Sequence, residues 1–116
     1  MLSLFVAAAI HDYDHPGVNN NFLIATRDPI ALLYNDRSVL ENHHCAASFS
    51  ILMDSKNNFL QGLDTSVFNT VRSLIVNMVL ATDLAEHFDL LTRFKKKVFF
   101  SIDAKCNVLG CHCWHI

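Results

Sequence analysis

The chain has 116 residues, of which 52% are hydrophobic and 17% are charged, and its formal net charge is -2. This length suits one modest domain, and the slightly acidic balance gives no electrostatic support for binding nucleic acid. The longest apolar stretch, Leu2 to Ile10, is too short for a membrane span and lacks the flanking signals of a secretory leader. The hydrophobic excess suggests faces that pack against further protein.

The cysteines do not form the pattern of a disulfide framework. Cys45 lies alone in a helical stretch, whereas Cys106, Cys111 and Cys113 crowd near the end of the chain. Disulfide frameworks belong to oxidising compartments. We therefore predict an intracellular, cytoplasmic location.

Apolar residues recur mostly at helical spacing, which predicts an all-α fold. In chain order, the predicted elements are a buried helix from Leu2 to His11, a loop at Pro16 and Gly17, short helices at Phe22–Ala25 and Ile30–Tyr34, longer helices at about 38–53 and 66–81, and a last helix through Leu84, Phe88, Leu91 and Phe94. Ser38 followed by Glu41 has the spacing of a capping box and predicts the start of the first longer helix.

The character of the sequence changes near its end. The run Lys95–Lys97 fits a solvated C-terminal helix end, where cations suit the helix dipole. From Phe99 the chain reads first as strand-like and then as rich in Cys and His. We predict a helical body over residues 1–98 and a divergent tail over 99–116, to which no domain is assigned.

The strongest candidate site is His11-Asp12, with His15 four residues later. A neutral imidazole suits zinc, and a carboxylate can bridge two metals through its two oxygens. His15 precedes Pro16 and could orient a metal-bound water from a turn. The alternative is that a His-Asp pair only terminates a helix, but the apolar run before it favours the metal site.

Two further pairs are candidates for orienting water around a metal. Glu41 and His44 are three residues apart and would share one helix face. The alternative there is a capping role for Glu41 and a core role for the histidine. Thr82 and Asp83, with His87 four residues on, form the other pair, and taken alone their spacing favours helix capping over a metal role.

The tail carries Cys106, Cys111, His112, Cys113 and His115, all of which are possible zinc ligands. Their spacing matches no usual zinc-finger pattern, and three adjacent ligands are awkward for tetrahedral closure. A small zinc module in the tail therefore ranks last among the functional hypotheses.

Together these motifs resemble the catalytic domain of class I cyclic nucleotide phosphodiesterases. The matching segments are Ala7–Gly17, Asn20, Phe22, Leu33–His44 and Met78–Asp83, in order and with similar spacing over about residues 2–98. Tyr13 and the segment Phe22–Thr26 are most similar to the cGMP-inhibited, dual-specificity branch. The resemblance implies a partial helical bundle of the HD type and hydrolysis of cAMP or cGMP to the 5′-monophosphate.

The resemblance also implies roles for individual residues. His11 and Asp12 would ligate zinc, with Asp12 bridging toward a second metal, usually magnesium. The residues implied to hold the waters around that second metal are His15, Glu41, His44, Thr82 and Asp83. Asn20 and His43 would be structural or would support the ligands.

Several parts of the family pattern have no counterpart in this sequence. They are the upstream His-Asn-x-x-His segment with the general acid, the downstream metal-binding aspartate and the purine-binding glutamine. We therefore predict an incomplete catalytic domain that is inactive alone. The alternative is a non-catalytic helical interaction module that associates with a full-length phosphodiesterase.

Overall fold

The computed structural model describes residues 1–85, 87 and 91–98, and it divides the chain into two units, Met1–Asp83 and Leu84–Ile116. Within the first unit the helices are α1 (Leu2–Ile10), α2 (Asn20–Ala25), α3 (Pro29–Leu33), α4 (Val39–Leu52) and α5 (Thr65–Leu80). The described residues contain no strand. The all-α prediction is confirmed, and each predicted helix of this unit is present within a few residues of its expected bounds.

The larger hydrophobic cluster lies where α1, α4 and α5 meet. Its buried members are Ala7, Cys45, Phe49, Leu52, Leu60, Ile75 and Val79. The guanidinium of Arg72 on α5 lies 4.9 Å from the centre of the Phe49 ring, a distance at which a cation stabilises an aromatic face. This cluster fixes the C-terminal half of α4 against α5.

A smaller cluster joins α2 and α3 to the first turn of α4, with Leu23, Ala31, Val39 and Leu40 buried. The two short helices are defined by local hydrogen bonds, because Asn19 Oδ1 accepts from the Phe22 N–H and Asp28 Oδ1 accepts from the Ile30 N–H. Side chains that accept first-turn amides are the usual N-caps. The two clusters together hold α4 along its whole length.

The helix α1 differs from its prediction. A buried helix was expected, but Ala7 is its only buried residue, and Leu2, Leu4 and Phe5 are exposed. The reason is geometric, since the described residues cover α1 from the side of α4 and α5 only. The remaining apolar faces of α1 point away from the other helices of this unit.

The second unit is described at residues 84, 85 and 87 and at 91–98, all helical, with Lys95–Lys97 exposed. Phe88 and residues 99–116, including the strand-like segment and the Cys/His cluster, lie outside the described residues. None of the described helices combines the length and the hydropathy needed to cross a membrane.

Candidate functional site

The centre of the candidate site is His44, on the second turn of α4. The residue is 2% exposed, and its Nδ1 lies 2.6 Å from the carbonyl oxygen of Tyr13. A carbonyl can only accept, so Nδ1 must carry the hydrogen and donate. In the neutral ring the lone pair is therefore on Nε2, and the backbone of the 11–14 turn fixes the orientation of the imidazole.

The Nε2 atom of His44 lies toward Asp12, 3.8 Å from Oδ1, and the carboxylate of Asp12 is 66% exposed. Burial lowers the pKa of His44 below its ordinary value of 6.5, against the opposing effects of the Tyr13 carbonyl and the Asp12 carboxylate. The lone pair of neutral His44 therefore lies on the side of the exposed Asp12 carboxylate.

His15 and His11 are the two histidines of the motif that precedes Pro16. The His15 ring stacks on His44 with 5.7 Å between ring centres, and its Nδ1 accepts the Gly17 N–H at 2.9 Å. His11 is exposed, and its Nδ1 lies 2.8 Å from the Ala8 carbonyl oxygen. That bond fixes the His11 ring at the end of α1 and leaves its Nε2 toward solvent.

A second contact between the turn and α4 was not predicted. His43 Nε2 lies 2.9 Å from Asp14 Oδ2, and Asp14 has a φ of 60°. Left-handed backbone is unusual for residues other than glycine, although aspartate tolerates it better than most. Asp14 lies inside the His-Asp-Tyr-Asp-His motif, but the sequence assigned it no role, because nothing local indicates a partner 29 residues away.

The predicted capping box at the start of α4 is wrong. Ser38 occupies the N-cap position with a φ of 40°, and its side chain makes no capping bond. Instead, its hydroxyl donates to Asp83 Oδ2 at 2.8 Å. The left-handed backbone turns the hydroxyl away from the helix, so a partner 45 residues along the chain replaces the expected amide.

Asn20, and not Ser38, provides the side-chain cap at the start of α4. Its Oδ1 accepts the Leu40 N–H at 2.9 Å, and its Nδ2 donates to Glu41 Oε2 at 3.0 Å. A single amide therefore satisfies a first-turn donor of α4 and holds the Glu41 carboxylate. The family resemblance implied only a structural or supporting role for Asn20, and these two bonds identify the groups that it contacts.

Asp83 and Thr82 lie at the end of α5. Asp83 is buried and is joined to Ser38, and the Thr82 hydroxyl donates to the Val79 carbonyl oxygen at 2.7 Å. The Ser38–Asp83 bond connects the segment after α5 to the start of α4, whereas the Thr82 bond is local to the end of α5. The structure thus brings Asp12, His15 and His44 together. Asp83 instead accepts from Ser38 at the start of α4, and Glu41 accepts from Asn20 on α2.

The donors fit a resident metal centre only in part. Across the described part of the chain, no three His, Cys, Asp or Glu side chains are close enough to hold a metal ion. Metal sites in proteins normally use three or four protein ligands. The described residues do not by themselves form a two-metal centre, and they offer at most a fraction of its ligands.

Comparison with known proteins identifies the class to which this arrangement belongs. The sequence model of the 3′5′-cyclic nucleotide phosphodiesterase family matches residues 1–107. The chain therefore belongs to that family, whose members are metal-dependent, and the resemblance inferred from the motifs is confirmed.

The relatives of this chain include cGMP-inhibited 3′,5′-cyclic phosphodiesterase 3A of Rattus norvegicus, which is 54% identical over 99 residues, covering 84% of this chain and 9% of the relative. The probable 3′,5′-cyclic phosphodiesterase pde-3 of Caenorhabditis elegans is 47% identical over 98 residues, covering 84% of this chain and 14% of the relative. The chain thus spans only a small part of the curated relatives that it matches.

A solved structure gives the same result for the fold. The phosphodiesterase domain of the RhoPDE fusion protein from the choanoflagellate Salpingoeca rosetta matches with a TM-score of 0.79 and 42% identity. The match covers 82% of this chain and 30% of that domain. The helices described above therefore match one part of the larger fold of that solved structure.

Proposed function

We propose that this chain supplies one part of the metal centre of a cyclic nucleotide phosphodiesterase, an enzyme that hydrolyses cAMP or cGMP to the 5′-monophosphate. The observation that carries the proposal is the pairing of His44 Nε2 with the Asp12 carboxylate at 3.8 Å. Nδ1 of His44 donates its hydrogen to the Tyr13 carbonyl oxygen. The lone pair of the ring is therefore on Nε2, the nitrogen that lies on the side of Asp12.

Within this proposal, His11 and Asp12 would hold zinc, and Asp12 would also contribute to holding magnesium. The residues that would position water around the magnesium are His15, Glu41, His44, Thr82 and Asp83. Imidazole and carboxylate are ligand types that these ions accept. The remaining donors and the nucleotide pocket come from the larger part of the domain, so the chain alone is inactive.

The proposal places the protein in the cytoplasm, because a buried free thiol at Cys45 suits a reducing compartment. Its substrate is a cyclic nucleotide, and its proposed partner is a full-length phosphodiesterase. The non-catalytic interaction module remains the second candidate, and the exposed apolar face of α1 favours it.

The test exchanges the aligned segment of the choanoflagellate domain for the corresponding residues of this chain. With zinc and magnesium, we expect this chimera to hydrolyse cAMP or cGMP, and the isolated chain to show no turnover. A double variant, His11→Ala with Asp12→Ala, should lower the chimera's rate at least about 100-fold, since even groups that only support metal ligands cost about 10–100-fold.

The matched control is Asp64→Ala, which removes a carboxylate whose side chain makes no capping bond. We expect the rate of this control to stay within about twofold of the parent chimera, as is usual for surface substitutions. A folded chimera without activity, or a double variant as active as its parent, would contradict the proposal. Turnover by the isolated chain would show that its site is complete.

A further inference from the structure

Two hydrogen bonds join the turn that contains Asp14 to α4. His43 Nε2 lies 2.9 Å from Asp14 Oδ2, and His44 Nδ1 lies 2.6 Å from the Tyr13 carbonyl oxygen. The partners on α4 are consecutive residues, and so are the partners in the turn. The residues of this turn, 11–14, are all exposed. Specific bonds, rather than burial, therefore hold the turn against α4.

The two bonds restrain different motions of the turn. The bond from His44 to Tyr13 fixes a distance, but taken alone it leaves the turn free to rotate about that bond. Consecutive residues of a helix point about 100° apart, and the rings of His43 and His44 are tilted by 58° with 6.2 Å between their centres. The bond from His43 therefore reaches the turn from a second direction and restrains the rotation.

The backbone of Asp14 needs such an anchor. Its φ is 60°, in the left-handed region that is unfavourable for a residue with a Cβ atom. Glycine adopts this conformation without steric cost, but it would offer no acceptor to His43. Unfavourable backbone conformations persist where the surrounding structure holds them. At this position the bond from His43 to the Asp14 carboxylate provides that restraint.

We propose that Asp14 is a positioning residue of the candidate site, which acts through the turn and not by touching a substrate or a metal. Its bond to His43 keeps the Tyr13 carbonyl in place. That carbonyl keeps the hydrogen of His44 on Nδ1, because the hydrogen of a neutral imidazole follows the bond that the ring makes. The lone pair on Nε2 then stays on the side of Asp12, 3.8 Å from its Oδ1.

The experiment measures which nitrogen of His44 carries the hydrogen, from ¹H–¹⁵N correlation spectra of the imidazole rings in the full chain. EDTA removes divalent cations, and the pH is held well above 6.5, where His44 is neutral because burial lowers its pKa. The signals of His44 are those that disappear in His44→Gln. The quantity compared between variants is the ratio of the Nδ1–H form to the Nε2–H form.

Two substitutions of Asp14 separate its acceptor oxygen from its backbone. Glycine and asparagine both tolerate left-handed backbone, but only asparagine keeps an oxygen that can accept from His43. We expect Asp14→Gly to lower the ratio at least about threefold, a modest coupling within one hydrogen-bond network, and Asp14→Asn to keep most of it. The matched control is Asp36→Gly, because Asp36 is also exposed and has the same φ of 60°. This control should leave the ratio unchanged.

An unchanged ratio in Asp14→Gly would overturn the proposal. An equal loss in Asp14→Asn would also overturn it, because the acceptor oxygen would then not be what holds the turn. An equal loss in Asp36→Gly would do the same, since added backbone freedom would explain both results. If Asp14→Gly does not fold, His43→Leu removes the same bond from its donor side. The same loss is expected there, and an unchanged ratio would overturn the proposal.

The importance of Asp14 for catalysis rests on the proposed function, whereas the hydrogen placement in His44 is a property of this chain alone. In an active choanoflagellate chimera, Asp14→Gly should lower the rate about 10–100-fold, as is usual for groups that support metal ligands. An inactive chimera, with the ratio shifted in the isolated chain, would reject the proposed function and leave the role of Asp14. An active chimera with an unchanged ratio would do the reverse.

Discussion

The helices α1 and α4 show that the apolar content of a segment does not by itself determine how much of it is buried. The nine residues of α1 are almost all apolar, and only Ala7 is buried. The helix α4 contains Glu41, Asn42, His43 and His44, yet its buried residues are Val39, Leu40, His44, Cys45, Phe49 and Leu52. The apolar sequence of α1 thus indicates packing that these helices do not provide.

The difference follows from position. The first turn of α4 packs in the cluster with α2 and α3, and its second half packs in the cluster with α1 and α5. Burial of its polar groups is tolerated because specific bonds satisfy them, as at His44. By contrast, within the first unit α1 packs against α4 and α5 on one side only. Solvent-exposed apolar helix faces in a small unit indicate surfaces that bind other protein.

The largest test of this comparison uses two phenylalanines. Phe49→Ala in α4 removes a buried ring and its contact with Arg72, and we expect it to lower the free energy of unfolding by about 3–5 kcal/mol. Phe5→Ala in α1 removes an exposed ring and should change that free energy by less than about 0.5 kcal/mol. Urea titration followed by circular dichroism measures both.

Equal destabilisation by the two substitutions would contradict the comparison, because it would mean that α1 is packed in solution on the face that contains Phe5. Such a result at high protein concentration that disappears on dilution would identify self-association as the cause. Ile75→Ala, a buried position on α5, checks the size of the Phe49 effect independently, with an expected loss of about 2–5 kcal/mol.

Much of the fold could be predicted from the sequence, because apolar spacing and turn residues are local signals. The helix expected at about residues 66–81 is found at Thr65–Leu80, since one apolar stripe faces the core. The burial of α1 could not be predicted in the same way. The hydropathy of a helix indicates that it is favourable to bury it, but it does not indicate which other segments pack against it.

The site shows the same limit. Its residue types were evident from the sequence, because imidazoles and carboxylates cluster in short motifs. The partners of these residues were not, because they lie far apart along the chain. Ser38 bonds to Asp83 in place of the predicted cap, and Asn20 holds Leu40 and Glu41. The spacing of Ser38 and Glu41 predicted a local capping bond, whereas in the structure their partners are residues that are distant in the sequence.

A second prediction sharpens the account of how the polar start of α4 is held. Asn20→Ala removes both bonds of one amide, to the Leu40 N–H and to the Glu41 carboxylate. A lost cap and a lost bond to a charged group should together lower the free energy of unfolding by about 2 kcal/mol. The matched control, Asn21→Ala, changes an exposed residue of the same helix.

We expect Asn21→Ala to be neutral or slightly stabilising, because alanine has the higher helix propensity. Chemical denaturation of both variants gives the comparison directly. If the two variants lose the same stability, Asn20 does not hold α4, and the two bonds contribute nothing beyond helix propensity. Asn20→Asp separates the bonds, since it keeps the acceptor for the Leu40 N–H and places a second carboxylate beside Glu41.

The smallest effect concerns the one buried imidazole of α4 within the described residues. Because burial lowers the pKa of His44 from 6.5, the unfolded chain takes up a proton at this residue at a higher pH than the folded chain. The free energy of unfolding therefore has its full contribution from neutral His44 above pH 6.5. This contribution falls as the pH drops from 6.5 toward the lower pKa of the folded chain, and it is constant below that pKa. A single proton limits the slope to about 1.4 kcal/mol per pH unit.

Urea titrations from pH 7.5 to 5, with EDTA present to remove divalent cations, measure this slope. The comparison variant is His44→Gln, which removes the titrating ring, and each protein is referred to its own stability at pH 7.5. We expect the wild-type chain to lose more stability on acidification than the variant. Equal losses would show that His44 is protonated as readily in the folded chain as in the unfolded one. In that case the neutral Nε2 donor facing Asp12, on which the proposed metal site depends, would not be present at neutral pH to the extent that burial implies.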